Sequence, residues 1–148
     1  MFNEAALVNS GSSKSSKSCR PELEYIATDV CVPISRLAEC ILETRKDIDQ
    51  SGLTIPIVGH VGDGNFHMLF LIDPEKVEED IKLFQPLNDR LVERALRMGG
   101  TCSGEHGIGS GKLKYMELEH GESLELMRKI KKTLDPINIM NPGKVIPK

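Results

Sequence analysis

Residues 55–72 read IPIVGHVGDGNFHMLFLI, and the fold turns on this stretch. Two apolar runs, 55–61 and 66–72, flank Gly62-Asp63-Gly64-Asn65. Such runs on either side of a Gly/Asp cluster mark a β-hairpin, and Asp-Gly favours the positive φ angles of a type I′ turn. A loop centred on Asp63-Gly64 sets Gly62 opposite Asn65, Val61 opposite Phe66 and His60 opposite His67. Strands joined by so short a turn must run antiparallel.

On the N-terminal side, Tyr25 to Val32 (YIATDVCV) carries β-branched residues and stops at Pro33, as a strand does. Ile34, Leu37, Ala38, Ile41, Leu42 and Ile48 then recur at helical spacing, with Gly52 placed as a C-cap. On the C-terminal side, Asp73-Pro74-Glu75 predicts a helix start with Asp73 as N-cap. That helix extends to Met98, interrupted or kinked at Pro86, and ends at Gly99-Gly100. Thr101 to Gly111 (TCSGEHGIGSG) is too rich in Gly for a helix interior. A short helix follows from Lys112 to His120. A last one is capped by Ser123, turns Leu124, Met127, Ile130 and Leu134 inward, and stops at Asp135-Pro136. The end, from Asn138 to Lys148, is irregular. The order β-α-β-β-α-β-α-α makes an α+β domain: an antiparallel sheet with helices packed on one face, ferredoxin-like in plan.

The chain has 148 residues, enough for one domain. Ser10 to Ser18 holds six Ser, one Gly and two Lys, a composition that buries nothing. Residues 1–20 are therefore read as a disordered Ser-rich tail and 21–148 as the folded domain. With Glu4 and no positive charge before the first apolar stretch, the start carries no clear targeting peptide. Lys and Arg number 19 against 22 Asp and Glu, a net charge of −3. This excludes general nucleic-acid binding through phosphate neutralisation. No apolar run approaches the roughly 18–20 residues of a membrane span. Cys19, Cys31, Cys40 and Cys102 form no CxxC pair, which disfavours a zinc ribbon or a disulfide scaffold.

His60 and His67 are the first chemical signal. Opposed on one face of a hairpin, two imidazoles either grip one divalent metal or stand as two polar residues at a hairpin end. Glu105 and His106 lie in a loop with Gly104, Gly107, Gly109 and Gly111, which lets backbone come close to a ligand. Glu105 can complete a His₂-carboxylate site with open positions, and His106 can accept a proton beside it. The alternative is a flexible surface loop. Walker A, GxGxxG, HExxH and Gly-x-Ser-x-Gly patterns all fail here. Cys102 is read as buried and structural, and the Glu119-His120 pair as solvated.

Three motifs resemble one family. Gly59-His60-Val61-Gly62-Asp63-Gly64-Asn65-Phe66-His67, Gly100-Thr101-Cys102-Ser103-Gly104-Glu105-His106-Gly107-Ile108-Gly109 and Asn141-Pro142-Gly143-Lys144 are similar to the C-terminal domain of FAD-linked oxidases. Thr28 to Leu37 (TDVCVPISRL) resembles the branch of mitochondrial cytochrome-linked D-lactate dehydrogenases. The resemblance implies a divalent metal, zinc or manganese, on His60, His67 and Glu105, and His106 as catalytic base. It also implies a D-2-hydroxy acid substrate, FAD as hydride acceptor, cytochrome c as electron acceptor and a mitochondrial location. Leu69 stands where the D-2-hydroxyglutarate branch has Asn, which favours a small or aliphatic acid. The FAD-binding domain that precedes this region in the family has no room in 148 residues, so the chain is expected to bind no FAD stoichiometrically. A flavin domain supplied in trans is the expected partner. Two other readings are an inactive metal-binding module and a flavin-independent hydrolase using the same three ligands.

Overall fold

The computed structural model describes residues 24–148; the Ser-rich tail expected at residues 1–20 lies outside the described residues. In chain order the elements are β1 (Glu24–Ala27), β2 (Val30–Cys31), α1 (Ile34–Ser51), β3 (Ile57–His60), a 3₁₀ turn (Val61–Asp63) and β4 (Asn65–Ile72). Then come α2 (Val77–Arg97), a second 3₁₀ turn (Leu113–Tyr115), α3 (Met116–His120) and α4 (Ser123–Leu134). This is the expected α+β class. The four strands form one antiparallel sheet, each of the other three pairing with β4. Phe66 pairs with both Val30 and Gly59, so β2 and β3 lie on opposite edges of β4.

Alternation along β4 sorts its side chains onto two faces. Phe66, Met68, Phe70 and Ile72 belong to the hydrophobic core with Leu37, Cys40 and Ile48 of α1 and Phe84, Leu87, Leu91, Val92 and Ala95 of α2. Phe70 stacks on Phe84 at 5.0 Å between ring centroids. Burying each such side chain stabilises the fold by about 1.5–3 kcal/mol. Asn65, His67, Leu69 and Leu71 take the other face.

The hairpin register differs from expectation by one residue on each strand. His60 pairs with Asn65, Gly59 with Phe66 and Val58 with His67. The loop takes four residues because Val61–Asp63 form a 3₁₀ turn closed by Gly64 at φ 74°, a single left-handed residue where a type I′ turn needs two. A tertiary contact selects this loop: the Val32 amide donates to the Gly64 carbonyl at 3.0 Å. A Cβ on Gly64 would collide with the Val32 carbonyl. Because both strands slip by one, side-chain parity survives. His60 and His67 remain on one face as diagonal neighbours, with ring centroids 6.4 Å apart.

Other elements depart from the sequence reading for local reasons. The first strand splits at Thr28-Asp29 although its two halves keep one register on β4, from Glu24↔Ile72 to Cys31↔Asn65. The strand expected after the long helix reduces to a single bridge between Thr101 and Cys31. In α1 the inward stripe is Leu37, Cys40, Thr44 and Ile48, while Ile34 and Leu42 face solvent. Asp73 does not cap α2; its Oδ1 accepts the Glu75 amide at 3.0 Å in a preceding turn, and the helix begins at Val77. Helix α2 passes through Pro86 without a break. Lys82, whose carbonyl loses its usual donor there, is exposed and open to water. Ser123 begins α4 without a side-chain cap, and of its expected inward face only Leu124 is buried. Ile130 and Leu134 are exposed, since no other described element covers them.

Candidate metal centre

His67 stands on the non-core face of β4, and its side chain is only 9% exposed. Its Nδ1 lies 2.6 Å from the Thr28 carbonyl. A carbonyl only accepts, so Nδ1 carries the hydrogen and a neutral ring presents a bare Nε2. The split in the first strand has its use here, because it turns Thr28 toward the ring. Thr28 Oγ1 in turn accepts the Met68 amide at 2.8 Å.

The Gly-rich loop brings Glu105 to this nitrogen. Glu105 Oε1 is 3.0 Å from His67 Nε2 and Oε2 is 3.9 Å from His60 Nε2. A lone pair and a carboxylate oxygen at 3.0 Å require a cation between them, a proton or a metal. One ligand atom from each of His60, His67 and Glu105 fits within a span of 4.8 Å. Donors about 2.1 Å from a shared tetrahedral ion lie about 3.4 Å apart, so the widest separation in the cluster must close by roughly an ångström or more, a movement within reach of side-chain rotation at the exposed His60 and Glu105. His106 stands outside this set of three. Its Nε2 is 3.5 Å from Glu105 Oε1, and its ring centroid is 5.7 Å from that of His67. The structure thus brings together all four residues singled out in the sequence, three as a ligand set and the fourth beside it.

A fifth residue, Asp29, has no site role in the sequence pattern, where it lies inside an expected strand. It is buried, 3% exposed, in the gap between β1 and β2. Its carboxylate accepts Ser103 Oγ at 2.9 Å and the amides of Gly104, Glu105 and His106 at 2.9–3.2 Å. Asn65 Nδ2 and Lys112 Nζ add two more donors, each at 2.9 Å. Burial alone would raise its pKa, but the hydrogen bonds from His106, Asn65 and Lys112 outweigh that and hold the carboxyl well below the usual range. The available signal was an acid inside an apolar strand pattern, because a buried charge demands partners. Gly104 is required where the loop crosses this hub, since a Cβ there would run into the Asn65 amide. Asn65 Oδ1 is buried with no hydrogen-bond partner among the described residues.

The flanks of the loop are also anchored. Glu119 is not a solvated residue: its Oε2 accepts the Cys102 amide at 2.9 Å. Cys102 is fully buried, as expected, and burial together with the Glu119 carboxylate pushes its thiol up to about 12. The third sequence motif turns at Asn141–Lys144, and the Val145 amide then donates to the Gly109 carbonyl at 2.8 Å, docking the tail on the loop.

Residues 15–145 match the family described as FAD linked oxidases, C-terminal domain. The chain is 52% identical over 128 residues to the D-lactate dehydrogenase [cytochrome], mitochondrial, of Arabidopsis thaliana, covering 86% of this chain and 22% of that protein. It is 50% identical over 128 residues to the probable D-lactate dehydrogenase, mitochondrial, of Danio rerio, covering 86% and 26%. Against D-lactate dehydrogenase [cytochrome] 1, mitochondrial, of Saccharomyces cerevisiae it is 49% identical over 119 residues, covering 80% and 20%. The chain thus spans a fifth to a quarter of the length of these relatives. A match over nearly the whole chain, the residues of the cluster included, means that the chain belongs to the FAD-linked oxidases through their C-terminal domain.

Proposed function

We propose that residues 21–148 form the C-terminal, substrate-side domain of an FAD-dependent D-2-hydroxy acid dehydrogenase that oxidises D-lactate to pyruvate. Mitochondria are its location and cytochrome c its electron acceptor. The observation that carries this reading is the convergence of His60, His67 and Glu105 within 4.8 Å, with His106 beside them. The names of the three relatives support the substrate and the location, and two of those names support the cytochrome acceptor.

Two imidazoles and a carboxylate, with a tautomer set by Thr28, fit a divalent cation such as zinc or manganese. Nε2 of His60, Nε2 of His67 and a Glu105 oxygen would hold it, and it would supply Lewis acidity at a hydroxy-acid oxygen. The described residues do not fit a flavin in the same way. The amides of Gly104, Glu105 and His106 turn inward onto Asp29, so these three do not cradle a pyrophosphate. The flavin of the family supplies the two-electron acceptor that side chains lack. This chain's own part is binding and proton transfer: His106 takes the hydroxyl proton of the substrate at Nε2. Loss of that proton, and of the C2 hydrogen with its electron pair, turns the alcohol into the ketone. Leu69, buried two residues beyond His67 on the same face, suits a short aliphatic acid better than a dicarboxylate.

The test adds the flavin-binding part of a D-lactate dehydrogenase in trans and measures D-lactate-dependent cytochrome c reduction. Restored turnover is expected, with His106→Ala slower by about 10²–10⁴-fold. No turnover from a folded, metal-loaded pair would refute the proposal.

A further inference from the structure

We infer that Asp29 is a positioning residue for this centre. Its carboxylate holds the 103–106 loop so that Glu105 and His106 face the two histidines before any cation arrives. The inference rests on reading His60, His67 and Glu105 as a metal site.

Three successive amides, from Gly104 to His106, point at one carboxylate. Successive N–H groups converging on one anion form a nest, here occupied by a side chain of the protein itself. The Glu105 and His106 side chains therefore leave the nest outward, toward His67, at 3.0 Å for the Glu105 carboxylate. The same hub is tied to the strand that carries His67. Asn65, two residues before His67 on the same face, donates to Asp29 Oδ1. The register of β1 and β2, continued through the gap, sets Asp29 opposite His67. One carboxylate thus fixes the loop-borne ligand relative to the strand-borne one. A plain buried ion pair would need Lys112 alone and would leave the four loop donors unexplained. Asn at this position would aim its own N–H₂ at groups that also donate, so it cannot replace Asp.

The test has two readouts on the full chain: amide hydrogen exchange without metal, and titration with Co(II) followed in the visible spectrum. In wild type the amides of residues 104–106 should exchange at least about tenfold more slowly than free peptide. Asp29→Asn should abolish that protection while β4 stays protected, and should weaken Co(II) binding at least about tenfold. Wild-type amides exchanging at free-peptide rates would overturn the inference, and that measurement decides alone if the variant does not fold. Co(II) affinity within about threefold of wild type in a folded Asp29→Asn chain would overturn it whatever the loop amides do. Glu105→Gln separates the two readings, because it should lose Co(II) yet keep the loop amides protected. If wild type takes up no Co(II) while the exchange pattern holds, the metal reading falls and Asp29's hold on the loop stands.

Discussion

At the scale of single residues, the proposed division of the cluster into three ligands and one base rests on position. His60 and His67 reach Glu105 from two strands, whereas His106 follows Glu105 in the chain and stands to one side. His60→Ala and His67→Ala should each weaken retention of a divalent metal by at least about 100-fold, since losing an outer-shell partner already costs about 10–100-fold. His106→Ala should leave metal content near wild type. Metal analysis of the purified variants checks this, and equal losses in all three would erase the distinction. Cys102 offers a second expectation. Fully buried and with its thiol pushed up to about 12, it should stay unlabelled by iodoacetamide at pH 8 in the folded chain, and so should the buried Cys40. Mass spectrometry of the labelled sites reads the outcome, and fast labelling of Cys102 would contradict its burial.

At the scale of elements, polar side chains fasten the helices together. Arg94 of α2 is 9% exposed and bonds Thr44 Oγ1 at 2.9 Å, Glu43 at 3.0 Å and Asp47, all on α1. Arg94→Met should destabilise the chain by about 3 kcal/mol, the low end for breaking a buried pair, since Glu43 stays partly in water. Urea denaturation reads this directly. Asp89 ties α2 to the segment after the Gly-rich loop, accepting Tyr115 Oη at 2.5 Å, Lys114 Nζ at 2.6 Å and Gln85 Nε2 at 2.8 Å. Burial raises its pKa, but the bonds from Lys114, Tyr115 and Gln85 outweigh that and lower it overall. Its stabilising effect is therefore full above the unfolded value near 3.9 and is lost as pH falls through the lower folded value. Asp89→Asn should cost about 1 kcal/mol at pH 7, discounted for partial exposure, and the gap from wild type should close well below pH 4. A difference that persisted at the lowest pH would mean that the charge is not the cause.

At the scale of the whole molecule, the C-terminal third carries apolar surface that no other described residue covers. Leu126, Ile130 and Leu134 repeat at i, i+4 and i+8 along α4 and are 61%, 51% and 72% exposed, and Ile137, Ile139 and Met140 continue the patch. Replacing Leu126, Ile130 and Leu134 together by Glu should lower binding of an apolar dye. It should shift stability by no more than about 0.5 kcal/mol per site, because exposed side chains contribute little to folding. A large loss of stability would mean that this face packs against something in solution.

Much of this protein could be read from local pattern. The hairpin, both long helices and the α+β class followed from apolar periodicity and from turn residues. The candidate ligands stand out because His60 and His67 flank one turn and Glu105 sits with His106 among glycines. Features that depend on contacts distant in sequence were decided only by the tertiary structure. The hairpin took a four-residue loop because Val32 meets Gly64. Helix α4 kept its apolar stripe in water because periodicity records which face is apolar but not whether anything lies against it. Asp29 reaches Gly104, Glu105 and His106 across 75–77 residues of chain. Hydrogen bonds of that span leave no periodic trace, so the residue that gathers the loop was visible only once the chain had folded around it.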